Sequence, residues 1–303
     1  MARTAEREVT VEDRKLRLTN LDKVLFPETG LTKAGLIDFY VRLAPFVLPH
    51  LRDRPLTLKP YPDGVGGPHF FKKRCPPERP DWMATAEVPS ERHGTIQYCL
   101  ANDLPSLVWL ANRANIELHV TLARAEDVQR PTSMAFDLDP GEGMGLLDCC
   151  EVAGRIRGML AELGLESLVK VSGKKGVHLW VPLNGKETYE RVHPFSRQVA
   201  ETLERAFPDR VTASQSKAKR RGRILVDWSQ NTWHKSTASA YSLRAADQPR
   251  VSMPVRWEEL EAACADGEEG RLRFGPGEAL SRLGEHGDLF EPVLSLSQAL
   301  PEP

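Results

Sequence analysis

Between residues 116 and 139 apolar and polar positions alternate with a period of two. Ile116, Leu118, Val120 and Leu122 are set against Glu117, His119 and Thr121, and Met134, Phe136 and Leu138 against Ala135, Asp137 and Asp139. Alternation sends successive side chains to opposite faces of a strand, so strands are expected over 116–122 and 133–139. Helical spacing then takes over at Val152, Ile156, Met159, Leu160 and Leu163, with Gly164 as the stop. Strands near 168–172 and 176–183, a helix over 194–207 and a last strand over 223–229 follow.

From residue 133 the order is therefore β-α-β-β-α-β, the split βαβ arrangement of ferredoxin-like and RNA-recognition (RRM-like) folds. Upstream, residues 1–15 read as a loose polar lead. Thr32 is an expected N-cap for a helix to about residue 47, with Leu36, Ile37, Tyr40, Val41 and Ala44 on one face. Residues 60–92, rich in Pro and Gly, are expected as a long surface region, and Pro105 opens a helix ending near Asn115. The fold class is α/β (α+β): an N-terminal half over about 16–132, an RRM-like half over 133–255 and an acidic helical extension over 256–303, working as one catalytic domain.

Composition narrows the function only locally. The chain has 303 residues, a net charge of −1, 41% hydrophobic and 27% charged residues, ordinary globular values. Yet Lys217, Lys219, Arg220, Arg221 and Arg223 cluster with no acid among them, a patch suited to phosphates. The five cysteines show no C-x-x-C spacing, so no zinc site is expected, and Cys149 and Cys150 read as buried or helical thiols in a reducing compartment. No stretch approaches the ~20 apolar residues of a membrane span, and the N-terminus lacks an apolar leader. A cytoplasmic, nucleoid-associated protein without a membrane partner is expected.

Three segments carry chemistry: FDLD at 136–139, SGKKGVH at 172–178 and VDW at 226–228. The apolar residues of four strands define a covered face, and the other face is expected to collect His119, Asp137, Asp139, His178 and Asp227. Asp137 and Asp139 repel each other unless a cation lies between them. A pair of Mg²⁺ or Mn²⁺ ions relieves that repulsion, with Asp227 as third carboxylate, and suits nucleotidyl transfer. Taken alone, D-x-D is equally a solvated strand end before the Pro140-Gly141 turn. Gly173 and Gly176 let backbone N–H groups approach an anion, and Ser172, Lys175 and His178 bind phosphate oxygens; taken alone, the segment is also a basic hairpin. His119 alone reads as a satisfied sheet histidine, and Arg220 and Arg244 as solvated arginines, so co-occurrence carries the argument.

FDLDPGEG, SGKKGVHLWVPL, VDWSQN and YSLR, with LTNLDKVLFPETGLTKAGLIDFY and FFKKR upstream, resemble the polymerase domain of bacterial ligase D, in the archaeo-eukaryotic primase superfamily. The likeness runs from about Leu18 to Pro292. It implies a primase-polymerase fold and template-dependent addition of nucleotides, often ribonucleotides, with Mn²⁺ favoured, in non-homologous end joining or gap filling. It also implies DNA with a gap or 3′ overhang, nucleoside triphosphates, Ku and an ATP-dependent DNA ligase as partners. Carried over by position, Asp137, Asp139 and Asp227 hold metal, and Lys59, His119, Ser172, Lys175, His178, Arg220, Gln230 and Arg244 bind nucleotide. Asn20, Lys23 and Lys33 match a grip on a 5′-phosphate, and Phe70 and Phe71 a step on which a template base stacks. Lys174 departs from the pattern by adding a cation between the glycines, and no adenylating-lysine motif of a ligase is present.

Two other readings compete. MAFDLD also fits the aspartyl nucleophile of a haloacid-dehalogenase-type phosphohydrolase, although Pro140-Gly141 replaces its usual continuation. A non-catalytic binder of DNA ends would use the phosphate grip and Phe70-Phe71 alone, but gains nothing from three carboxylates facing DNA.

Overall fold

Six strands form the sheet that carries the acidic motif, in the order Val211–Thr212, Ile224–Asp227, Ser133–Pro140, Val177–Pro182, Leu168–Val171 and Pro254–Val255. The computed structural model describes residues 6–90, 94–185 and 187–302. The four longer strands stand in spatial order fourth, first, third, second, each antiparallel to its neighbour, the layout expected of a split βαβ unit. Helices α3 (Leu146–Glu162) and α4 (Tyr189–Ala206), numbered after two helices nearer the N-terminus, pack against the central strand and bury Val152, Ile156 and Leu160, and Val192, Val199 and Leu203. Met134, Phe136 and Leu138 are fully buried, which leaves Asp137 and Asp139 on the opposite side of the pleat.

A second sheet runs Thr237–Ala238, Asn115–Val120, Leu56–Pro60, Gly94–Cys99, Thr85–Ser90. Helices α1 (Lys33–Leu51) and α2 (Leu104–Asn112) pack on one another. The Thr32 hydroxyl caps α1 by accepting from the Gly35 amide at 3.3 Å. That helix runs four residues past the expected end, through Pro45 and Pro49. Each proline removes a helical hydrogen bond, but Leu43, Val47 and Leu51 are completely buried, and that burial outweighs the loss. Leu43, not the exposed Val41, completes the apolar face. Helix α4 likewise starts five residues before Pro194.

The polar lead also needs correction from residue 6 onward. Glu6–Val11 and Arg14–Thr19 form an antiparallel hairpin, because alternate Leu16 and Leu18 are buried and the second strand lies on α2. Residues 1–5 lie outside the described residues. Cys75 and Cys99 are joined by a disulfide, with Cα atoms 4.9 Å apart, tying the long surface region to the second sheet. No sequence spacing signals such a pair, since chain folding alone creates the proximity. Cys149 and Cys150 are free and buried. The acidic C-terminal region forms helices over Trp257–Asp266 and Pro276–His286, with a short turn at Pro292–Ser295. No helix among the described residues is long and apolar enough to cross a membrane.

Candidate active site

Asp137 occupies the middle of the acidic sheet. Its register partners are Asp227 on one side and His178 on the other, while Asp139 follows on the same face of its strand. Asp227 is buried and its carboxylate is held on both oxygens. Oδ1 accepts from Gln215 Nε2 and the Ser229 amide, both at 2.9 Å, and from the Ser229 hydroxyl at 2.5 Å; Oδ2 accepts from Gln230 Nε2 at 2.9 Å. Partial burial, then the charges of Asp137 and Asp227, push the Asp139 carboxyl up to about 6. Burial also disfavours the charge on Asp137, but the adjacent His178 outweighs it and the group lies below the usual carboxylate range.

His178 reaches Asp137 Oδ1 through Nε2 at 3.2 Å. Its other nitrogen, Nδ1, lies 2.7 Å from Nζ of Lys170, which also donates to Ser252 Oγ at 2.7 Å. With Nδ1 accepting from lysine, the ring proton sits on Nε2, facing the carboxylate. Burial, then Lys170, push the imidazole down to about 4, so it acts as a neutral donor at pH 7. Lys170 is completely buried.

The expectation that His119 shares this face is overturned. Its strand pairs with Leu56–Pro60 and Thr237–Ala238 in the second sheet, because a long connection separates it from residue 133. His119 instead belongs to a cluster around Glu117, whose carboxylate is wholly buried. Oε1 accepts from Lys59 Nζ at 3.0 Å, Tyr61 hydroxyl at 2.8 Å, Lys174 Nζ at 3.1 Å and the Ala245 amide at 3.3 Å. Oε2 meets His119 Nε2 at 2.9 Å and Arg244 Nε at 3.1 Å. Burial opposes this charge, but the His119 hydrogen bond and the cations outweigh it and hold the acid well below its ordinary range. Burial keeps the His119 imidazole below its own usual value.

The SGKKGVH turn bridges the two groups. Arg244 Nη1 donates to the Ser172 carbonyl at 2.7 Å. Ser172 Oγ accepts from the amides of Lys174 and Gly176 at 3.2 and 3.1 Å, so these two N–H groups are turned onto the serine and not presented to an anion. Gly176 is needed for another reason than the one expected: a Cβ there would lie 2.0 Å from the Leu138 carbonyl oxygen. Gly173, at φ +73°, would press a Cβ onto Arg244 and the Val251 backbone. Lys175 is exposed and lines, with Asp137, Asp139, Ser172, Lys174, His178 and Arg244, an open cleft of about 730 Å³.

The remaining candidates are not among the residues lining this cleft and fall in three places. Gln230 is bound to Asp227, and Arg220 holds the Gln215 carbonyl at 2.9 Å while its charge opposes the rise at Asp139. Phe70 and Phe71 are 46% and 60% exposed, so core packing does not explain them; Lys59 Nζ lies 4.9 Å from the Phe71 ring, which also meets His119 edge-on. Asn20, Lys23 and Lys33 form one local group, since the Lys23 amide donates to the Asn20 carbonyl and the Lys33 amide to the Lys23 carbonyl. Lys23 pairs with Asp63 at 2.9 Å. Lys33 is buried, donating to Thr19 Oγ1 and the Asn112 carbonyl, and burial, then Lys23 and Arg113, pull it down to about 8.

The family description "LigD, primase-polymerase domain" matches residues 32–290. The chain is 41% identical over 281 residues to the multifunctional non-homologous end joining protein LigD of Mycolicibacterium smegmatis, covering 92% of this chain and 36% of that protein. It is 37% identical to the LigD of Mycobacterium tuberculosis, covering 93% and 37%. The solved polymerase domain from Mycobacterium tuberculosis ligase D, in complex with DNA, superposes with a TM-score of 0.86 at 37% identity, over 93% of this chain and 99% of that one. The chain belongs to the LigD primase-polymerase family. It spans little more than a third of the length of these curated relatives.

Membership makes this a domain of the primase-polymerase nucleotidyltransferase type, and the phosphohydrolase and non-catalytic readings fall with it. The LigD domain family implies metal-dependent nucleotidyl transfer from nucleoside triphosphates. Among the described residues no three Asp, Glu, His or Cys side chains are gathered into a ready cage. The donor chemistry nonetheless fits Mg²⁺ or Mn²⁺. Asp137 and Asp139 are paired hard oxygen ligands, and the raised Asp139 carboxyl registers a repulsion that a divalent cation relieves.

Two residues escaped sequence reasoning. Glu117 was only a polar position in a strand alternation, and nothing in the sequence pattern singled out Lys170. The one available signal for Glu117 was its place two residues before His119 on the same strand face.

Proposed function

We propose that this chain adds nucleotides to primer 3′ ends at gaps or broken ends of DNA, with ribonucleotides preferred, in double-strand break repair by end joining. The observation that carries the reading is the register that places Asp227 and His178 on either side of Asp137, beside a cleft whose other wall is basic. The two sheets then act as one catalytic unit.

Held by Asp137 and Asp139 with Asp227, a pair of Mg²⁺ or Mn²⁺ ions would activate the primer hydroxyl and neutralise charge on the leaving pyrophosphate. The protein's own part is orientation. His178 turns its Nε2 proton to Asp137 because Lys170 occupies the other nitrogen, and it stays neutral because of burial first and the Lys170 charge second. Lys59, Ser172, Lys175, Arg220 and Arg244 bind and neutralise the triphosphate. Gln230 and Gln215 hold Asp227 against the strand end. Phe71 offers a face for a template base, and Asn20, Lys23 and Lys33 grip the 5′-phosphate across the gap. Ku and an ATP-dependent ligase are the expected partners, supported by the end-joining names of the relatives.

The test is primer extension on a gapped duplex with and without a 5′-phosphate, comparing ribo- and deoxyribonucleotides and Mg²⁺ with Mn²⁺. Stepwise, templated addition that is lost in Asp137→Ala while duplex binding survives is the expected result. Extension by that variant at the wild-type rate overturns the assignment.

A further inference from the structure

Glu117 accepts from six donors, four of them on cationic or imidazole side chains drawn from four separate segments. Lys59, Lys174 and Arg244 bring three formal positive charges to this single carboxylate, and burial keeps His119 from adding another by holding its pKa down. The cluster, which reaches the cleft through Lys174 and Arg244, therefore carries more positive charge than its own acid balances. A buried surplus of that kind is costly until an anion enters. The four partners differ in freedom. The side chains of Lys59, His119 and Arg244 are 7%, 9% and 10% exposed, whereas that of Lys174 is 34% exposed. Only Lys174 can change partner without opening the core. It projects from the turn between Gly173 and Gly176 and lines the same cleft as Asp137 and Asp139.

We propose that Glu117 is a positioning residue, a built-in counter-anion that assembles the phosphate-binding cations while the cleft is empty, and that Lys174 transfers from this carboxylate to a phosphate of the incoming nucleotide. The inference rests on the polymerase reading for the identity of the ligand. Glu117 touches none of the reacting atoms; it acts through Lys59, His119 and Arg244, which stay with it, and through Lys174, which leaves it. Ser172 receives the Lys174 amide, so the turn itself stays in place while the side chain moves.

The test uses the full chain and a ribonucleoside triphosphate with Ca²⁺ for binding, followed by Mn²⁺ for extension of a gapped duplex. Lys174→Met is expected to melt at the wild-type temperature without nucleotide and to show a smaller nucleotide-induced rise. Its nucleotide KM should increase about tenfold, the loss of one charge-assisted hydrogen bond, with kcat within about twofold of wild type. Lys174→Arg should recover part of the difference. Glu117→Gln, which keeps the shape and removes the charge, is expected to melt lower without nucleotide and to gain more on adding it, since the triphosphate then supplies the missing anion. A Lys174→Met variant with unchanged KM and unchanged melting rise overturns the proposal. So does a Glu117→Gln variant that melts lower with an unaltered nucleotide-induced rise, which is the mark of a purely structural acid. Should Glu117→Gln fail to fold, the Lys174 pair decides alone. If wild type fails to extend primers yet the melting differences appear, the polymerase reading fails and this one stands.

Discussion

The amine of Lys170 lies 2.7 Å from Nδ1 of His178, its register partner on the next strand, and His178 in turn is the register partner of Asp137. Burial pushes this lysine well below its ordinary pKa, yet its hydrogen bonds to the histidine and Ser252 are kept. Lys170→Met preserves length and removes the donor, freeing His178 to adopt the other tautomer. A fall in kcat of about ten- to a hundredfold is expected, the worth of one buried hydrogen bond expressed in the transition state. DNA affinity should hold. Steady-state extension beside fluorescence anisotropy on gapped DNA measures both, and an unchanged kcat would remove Lys170 from the machinery.

Asp137 and Asp227 face each other, but only Asp227 is tied into its surroundings by four hydrogen bonds. Both alanine variants should lose incorporation. Asp227→Ala should also lose about 1–3 kcal/mol of stability, because Gln215, Ser229 and Gln230 are left without their acceptor. Urea unfolding of the two variants side by side distinguishes them, and equal midpoints would contradict the unequal roles.

Asp139 gives a pH dependence whose sign follows from its raised pKa. The folded form takes up its proton near pH 6, the unfolded form nearer 3.8. As pH falls through that window the folded state binds the proton first, so this group makes the metal-free protein more stable on acidification. At neutral pH the ionised carboxylate is destabilising. Asp139→Asn should therefore raise the melting temperature at neutral pH, erase this part of the pH profile and abolish incorporation. In wild type, Mn²⁺ should raise the melting temperature most above pH 6; scanning fluorimetry with and without the ion checks this.

Phe71 is 60% exposed, so its removal should cost little folding stability. Phe71→Ala should instead weaken binding of templated duplex by about 1–3 kcal/mol, the worth of one base stacked on an aromatic ring. Titration of gapped DNA against the variant reads this directly. An equal loss on blunt duplex without an unpaired template base would assign the ring to some other contact.

Lys33 sets a second pH signature. Its folded pKa of about 8 lies below the ordinary 10.5, so the folded protein sheds this proton first as pH rises and the cationic grip weakens above about 8. Preference for a 5′-phosphorylated gap should fade over that range, and Lys33→Met should remove the pH dependence. Lys23→Ala should reduce the preference throughout, on both sides of that pH. Competition binding between phosphorylated and unphosphorylated gaps decides both points.

The alternation at Met134, Phe136 and Leu138 announced a strand with Asp137 and Asp139 on its free face, and the β-α-β-β-α-β order followed from two strictly local periods, 2.0 and 3.6. Such patterns are legible because each strand or helix face must bury its own apolar set. Helix ends were less legible: α1 runs through Pro45 and Pro49 since Leu43, Val47 and Leu51 find partners far along the chain. The hairpin at residues 6–19 was missed because its partner surface, α2, is likewise remote in sequence.

The identities of the acids, the glycine-bounded basic turn and the family were thus determined by the order of residues alone. Which strand neighbours which was decided only in three dimensions. That choice moved His119 to the second sheet, set Asp227 and His178 on either side of Asp137, buried Lys170, and made Glu117 a common acceptor for side chains up to 127 positions away. Local pattern reports which face a residue prefers. A buried charge persists only where tertiary contacts bring it partners, and no period along the chain encodes those.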